Sequence, residues 1–231
     1  MTLKKSPRIY ILVGRFNPVT KAHEYIIKQS LKQLKEDEYL FLFLSSRTDD
    51  IENPLDVHTR GVLIRSLFRD NSNLVIRQCT DKMNCIMDIA KAVNTLSSNI
   101  TVITDADRKA QYEILLNKYN NIEYSFDSIE TVIFDNNDFI NEMSATNARL
   151  FALEDEFVNF CQCLPNRFNT QLKQHLFDLV RSKLSFNEET ENEEPEDLED
   201  IIKSLEQYSS YSDNDEEEPT EYTDDYIKLN L

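Results

Sequence analysis

From Gly14 to His23 the chain runs Gly-Arg-Phe-Asn-Pro-Val-Thr-Lys-Ala-His. This stretch brings together a hydroxyl (Thr20), an imidazole (His23) and two cations (Arg15, Lys21), but no side chain that reads as a nucleophile activated by a base. It joins an apolar run, residues 9–13, to a helical pattern that begins at Ala22. A turn from buried strand to helix presents free backbone N–H groups and the positive helix end, and phosphate is stabilised at such a place. Thr20 and His23 flank the helix start and can face one phosphate. The chemistry implied is in-line phosphoryl transfer driven by positioning and charge stabilisation, without a covalent intermediate.

Such residues need a frame, and the hydropathy pattern supplies one. Apolar runs at 9–13 and 39–44 and further strand patterns at 74–78, 100–104 and 131–134 alternate with helical patterns at 22–35, 55–68, 81–96 and 109–118. Strict alternation predicts right-handed βαβ units and a Rossmann-like, doubly wound α/β fold, its parallel sheet covered on both faces. Ligands of such sheets bind beyond the carboxyl ends of the strands. Three further helical segments are expected at 145–153, 157–163 and 171–184, with Pro165 between the last two.

Composition sets the outer bounds. The 231 residues include only two glycines, Gly14 and Gly61, where ordinary usage would give about 16. A chain so poor in glycine has no multi-glycine phosphate loop, and Gly14 at the strand-to-helix turn becomes a positional signal for exposed backbone. The formal net charge of −17 is unevenly spread: residues 1–184 carry 23 basic against 24 acidic residues, and residues 185–231 carry 2 against 18. The body is neutral and the tail holds the charge. A domain over 1–184 is therefore expected, followed by an acidic, largely disordered tail over 185–231. Leu198, Ile201, Ile202 and Leu205 recur at helical spacing, so a short helix at 198–208 could meet a protein partner. Nucleic acid and membrane are not expected partners, given this charge and the lack of an apolar run near the ~20 residues that span a bilayer. The four cysteines form no CxxC pair and His58, His175 and Lys82 suggest no site, so reduced thiols, a cytoplasmic location and no protein metal site are expected.

At these residues the sequence resembles the nucleotidyltransferase superfamily of nicotinamide-nucleotide adenylyltransferase, phosphopantetheine adenylyltransferase and glycerol-phosphate cytidylyltransferase. Its G-x-F-x-P turn and (H/T)-x-G-H signature is matched by Gly14, Phe16, Pro18, Thr20 and His23. Its late S-(S/T/A)-T-x-x-R signature is matched by Ser144, Ala145, Thr146 and Arg149. Asn53-Pro54-Leu55 with Arg60 is similar to archaeal-type nicotinamide-nucleotide adenylyltransferases and their relatives in tailed phages and large DNA viruses, and Asp107-Arg108 with the segment from Tyr112 to Tyr119 is similar to the viral relatives. Two positions depart from the pattern: Ala22 replaces the signature glycine, adding a methyl where backbone approaches phosphate, and Thr104-Asp105-Ala106-Asp107 replaces the Gly-(S/T/N)-(D/S) after the fourth strand.

The resemblance implies an enzyme that moves a nucleotidyl group, adenylyl in the first instance, from a nucleoside triphosphate to a phosphorylated acceptor such as nicotinamide mononucleotide, releasing pyrophosphate with Mg²⁺ on the triphosphate. It implies that His23 and Thr20 stabilise charge on the transferred phosphoryl and that Arg149, with Ser144 and Thr146, binds the departing pyrophosphate. Gly14, Arg15, Phe16 and Lys21 would line the nucleotide. Arg47, Arg60, Asp107 and Arg108 are candidate contacts to substrate or phosphate. If the source is viral, the location would be the host cytoplasm. The alternative is a weakened nucleotidyltransferase fold that serves as a binding module or virion-associated component.

Overall fold

A computed structural model of the protein describes residues 6–46, 53–80, 83, 85–134 and 141–185. The chain divides into Met1–Glu191 and Asn192–Leu231, and every element below belongs to the first unit. Arg47, the acidic tail from residue 186 and the segment expected as a helix at 198–208 lie outside the described residues.

Five strands form one parallel sheet: β1 (Ile9–Gly14), β2 (Tyr39–Leu44), β3 (Leu74–Gln78), β4 (Asn99–Thr104) and β5 (Ser128–Ile133), in the order β3-β2-β1-β4-β5. Four helices alternate with them: α1 (Lys21–Gln33), α2 (Val57–Leu67), α3 (Ile86–Asn94) and α4 (Ala106–Tyr119). The expected α/β doubly wound sheet is therefore observed. β1 pairs with β2 on one side and β4 on the other, so strand order reverses at β1. Beyond the carboxyl ends of β1 and β4 lies the switch point, where a crevice opens in sheets of this kind.

The strand sequences explain the layering. Ile9 and Ile11 of β1 and Phe43 of β2 pack with Ile86, Ile89 and Val93 of α3 and Leu116 of α4, all nearly or fully buried. Leu40, Leu42 and Leu44 alternate with that set, and Leu44 approaches α2 closely enough that a Cβ on Gly61 would lie 3.5 Å from its Cδ1. Runs that are apolar on both faces are what a strand covered on both sides requires. Each such aliphatic side chain contributes about 1.5–3 kcal/mol by leaving water.

Three helices close the unit: α5 (Ala145–Leu153), α6 (Phe157–Cys163) and α7 (Thr170–Ser185). Phe157 and Phe160 of α6 both meet Phe177 of α7 edge to face at 5.3 Å. Ala148 and Ala152 are fully buried on α5, where small side chains let its neighbours approach.

Helix starts differ from the expected ones for a local reason. α2 begins at Val57 instead of Leu55, because Asp56 is its N-cap and accepts from Thr59 N at 2.9 Å. α4 begins at Ala106, earlier than the sequence pattern at Lys109, because Asp105 caps it by accepting from Arg108 N at 2.9 Å. Carboxylates at N-caps satisfy orphan N–H groups that hydropathy spacing does not register. β5 likewise starts at Ser128, ahead of the apolar run, because Ser128 to Ile133 pair in register with Asn99 to Thr104.

Candidate functional site

The switch point holds a cleft of about 530 Å³. Gly14, Arg15, Phe16 and Asn17 line one side, with His23 from α1; Ser144, Ala145, Thr146 and Arg149 enter from α5. Thr104, Asp105, Ala106, Arg108 and Tyr112 come from the β4–α4 corner, and Ile133 and Phe134 from the end of β5. Residues of the first turns of α1, α4 and α5 thus face one space. Three helix N-termini at one cleft favour a polyanion there.

His23 is the best-defined group. It occupies the third position of α1, and its Nδ1 accepts from the Thr20 N–H at 3.1 Å, with Thr20 Oγ1 at 3.2 Å. Histidine here takes the part that glutamate or glutamine plays in a capping box. An N–H can only donate, so Nδ1 is the acceptor and the neutral ring carries its proton on Nε2. The Phe16 ring packs against the imidazole with centroids 4.7 Å apart. Burial, and after it the positive charge of Arg149, hold the His23 pKa down at about 4 instead of 6.5. At neutral pH His23 is an uncharged hydrogen-bond donor.

Arg149 ties the late motif to the early one. Its Nη1 donates to the Asn17 carbonyl at 2.7 Å and its Nη2 lies 3.4 Å from Thr146 Oγ1. Ser144 caps α5 by accepting from Asn147 N at 3.2 Å. Asn17 is completely buried, and its amide bonds both ways to Leu55: Nδ2 donates to the Leu55 carbonyl at 2.8 Å and Oδ1 accepts from Leu55 N at 3.0 Å.

Several expected residues have other surroundings. Thr20 is fully buried and does not line the cleft; its hydroxyl meets the His23 ring instead of facing a ligand beside it. Lys21 is outside the cleft lining, and its ammonium acts on the Cys163 thiol, which burial pushes up to about 11. Asp107 is exposed and outside the lining as well, whereas Arg108 lies at the cleft with its Nε 3.0 Å from Asp105 Oδ2. Arg60 is wholly buried and bonds backbone carbonyls, so it is not a surface that substrate reaches. The Ala22 methyl is buried and outside the cleft lining.

Gly14 lines the cleft, but its φ is not positive, and the reason for glycine is a ring. A Cβ at position 14 would lie 2.6 Å from Phe16 Cε2. Phe16 itself takes the left-handed conformation, φ 52°, that folds its ring back over Gly14. Asp105, Tyr112, Ile133 and Phe134 were not singled out as site residues from sequence. The available signal was positional: they follow or flank the carboxyl ends of β4 and β5, and Tyr112 stands one helical turn after Arg108.

The described residues contain no group of three His, Cys, Asp or Glu side chains placed to hold a metal ion. Asp105, the cleft's carboxylate, is paired with Arg108. This donor set does not form a protein cage for a divalent ion. No described helix is long and apolar enough to cross a membrane.

A family profile described as cytidylyltransferase-like matches residues 11–151, a span that contains both motifs. Among solved structures, the fold is similar to a bifunctional NMN adenylyltransferase/ADP ribose pyrophosphatase from Francisella tularensis, with a TM-score of 0.57 and 17% identity, covering 88% of this chain and 56% of that one. A structure from the same organism under the same description, complexed with AMP and Mn ion, gives a TM-score of 0.55 and 15% identity, covering 89% and 56%. The chain thus spans little more than half the length of these proteins. No curated protein matches it in sequence.

Proposed function

We propose, from the premise that the chain belongs to the cytidylyltransferase-like family and is a nucleotidyltransferase, that it transfers an adenylyl group from a nucleoside triphosphate to a phosphorylated acceptor, with nicotinamide mononucleotide the leading candidate. The placement of His23 in the cleft lining, its Nδ1 accepting from the Thr20 N–H so that Nε2 is the donor, is the observation that carries this reading. The choice of acceptor is supported by the resemblance of Asn53-Pro54-Leu55 with Arg60 to archaeal-type nicotinamide-nucleotide adenylyltransferases, and by the activity that the Francisella tularensis neighbours carry in their description.

In the proposed reaction an oxygen of the acceptor phosphate attacks the α-phosphorus in line. The new P–O bond forms as the bond from the α-phosphorus to the bridging oxygen of the β-phosphate breaks, and pyrophosphate leaves with that electron pair. His23 donates from Nε2 to an equatorial oxygen on which charge accumulates, without giving up its proton. Arg149 and the first turn of α5 hold the β- and γ-phosphates, and Arg15 adds charge on the β1 side. A divalent ion would neutralise triphosphate charge and would arrive with the nucleotide; the steps above are those of the protein's own groups. Thr20 acts through His23, keeping its tautomer fixed.

The test is pyrophosphate release measured over a panel of nucleoside triphosphates and phosphorylated acceptors, with His23→Ala as control. One pair should turn over, and the variant should lose that activity by about two orders of magnitude or more. Turnover undiminished in His23→Ala would reject the assignment. Mg-triphosphate binding without turnover in any pair would favour the binding-module alternative.

A further inference from the structure

Arg60 is the largest completely buried side chain described, and it lies inside α2, away from the cleft lining. Its guanidinium donates three ways to main-chain carbonyls: Nε to Asp56 at 3.1 Å, Nη2 to Ser45 at 2.9 Å and Nη1 to Arg15 at 2.5 Å. Burying a cation is costly, and an apolar residue often fills such a place with no loss of stability. A planar fork that reaches three carbonyls at once is something only arginine provides. The three acceptors belong to the turn after β1, the end of β2 and the start of α2, so one side chain fixes the three segments.

The Arg15 carbonyl is the informative partner. It belongs to the peptide that leads into Phe16, the non-glycine residue at φ 52°. Left-handed backbone is avoided by residues with a Cβ and persists where surroundings over-determine it. The orientation of that peptide decides where the Phe16 ring goes, and the ring lies over Gly14 and 4.7 Å from the imidazole of His23. A continuous path of contacts therefore runs from Arg60 through one peptide plane and one ring to His23.

We propose that Arg60 is a positioning residue for the transfer reaction: by donating to the Arg15 carbonyl it sets the Arg15–Phe16 peptide, and through the Phe16 ring it holds His23 in place. The reaction named here is the one proposed above, but the placement of His23 can be read without it. Burial lowers the His23 pKa, so a displaced ring exposes the imidazole and lets its titration return toward 6.5.

The experiment uses the full chain with Arg60→Lys and Arg60→Met, and follows the titration of the three histidines by NMR alongside steady-state kinetics. Lysine keeps the charge without the fork, and methionine keeps only the volume. In both variants the His23 midpoint should move up while His175 stays, and kcat should fall about a hundredfold with little change in KM for the triphosphate. Phe16→Leu, which leaves Arg60 intact, should move the His23 midpoint in the same direction. An unmoved His23 in a folded Arg60 variant overturns the proposal, as does failure of both Arg60 variants to fold, which would make the residue purely structural. If the wild-type protein releases no pyrophosphate with any pair and His23 still moves, the functional reading fails and the positioning role stands.

Discussion

The Arg149 guanidinium donates to the main-chain carbonyl of Asn17 at 2.7 Å, although 132 residues separate the two. This contact draws the first turn of α5 to the turn after β1 and puts a cation close enough to His23 to lower its pKa. Arg149→Ala should reduce nucleotidyl transfer by about 10²–10³, the usual cost of losing one charge-stabilising donor. It should also raise the His23 midpoint, while leaving it below 6.5, because burial is the larger cause and remains. Arg149→Lys keeps the charge and should keep the depressed midpoint, but an ammonium lacks the planar fork that spans Asn17 and Thr146. Pyrophosphate release and an NMR titration measure the two effects separately.

Stability should depend on pH through the same imidazole. The folded-state pKa of about 4 lies below the ordinary 6.5, so between these values the unfolded chain binds more protons than the folded one. Stability is therefore intact above pH 6.5 and is lost as pH falls toward 4, by on the order of 3 kcal/mol from this group. His175 is shifted in the same direction and adds to the slope. Urea unfolding at a series of pH values should show the slope, and His23→Gln should flatten it by the His23 share. The activity profile should show no His23 limb between pH 6 and 8, since the ring stays neutral throughout. An unchanged slope in the variant would count against the uncharged imidazole.

The sheet was legible in the sequence because strands buried on both faces must be apolar throughout, and 39–44 is so without ambiguity, whereas the edge strand β3 is apolar only from Leu74 to Ile76. The first and last motifs were legible as a pair, since Thr20 with His23 and Ser144 with Arg149 place hydroxyls and cations at helix starts. The sequence could not separate residues that touch the cleft from residues that hold it. Thr20, Arg60 and Arg149 all look like anion ligands by type, yet the hydroxyl of Thr20 turns to an imidazole and Arg60 to three carbonyls. Asn17 gave no sequence signal of its own, because its work is done with an amide against the backbone of Leu55, 38 residues away. The glycine signal at position 14 was real, but its cause is the ring of Phe16 two residues on, folded back by a backbone conformation that residue types do not announce.

Asn17 should be among the most sensitive positions for stability. Asn17→Ala leaves the Leu55 N–H and C=O without their partner, and two buried backbone groups left unpaired cost about 2–4 kcal/mol together. Asn17→Asp should be no better, since a carboxylate can still accept from Leu55 N but cannot donate to the Leu55 carbonyl, and it is charged in a fully buried place. Urea denaturation of both variants gives the comparison, and a loss under 1 kcal/mol in Asn17→Ala would show that the Leu55 segment finds another partner.

The two glycines should respond to alanine in opposite directions. At Gly61, inside α2, a Cβ would make ordinary contact with Leu44 Cδ1 at 3.5 Å. A helix-interior alanine is worth about 1 kcal/mol over glycine, so Gly61→Ala should raise Tm by about 2–4 °C and leave turnover unchanged. At Gly14 the added carbon would lie 2.6 Å from Phe16 Cε2 and 3.0 Å from Cζ, distances that force the ring to move. Overpacking of this kind costs about 1–3 kcal/mol. The ring that must move is the one against His23, so Gly14→Ala should also lower turnover and raise the His23 midpoint. Thermal melts, turnover and the histidine titration of the two variants separate a helix effect from a site effect. A Gly14→Ala protein with wild-type turnover would mean that the Phe16 ring can shift without disturbing His23.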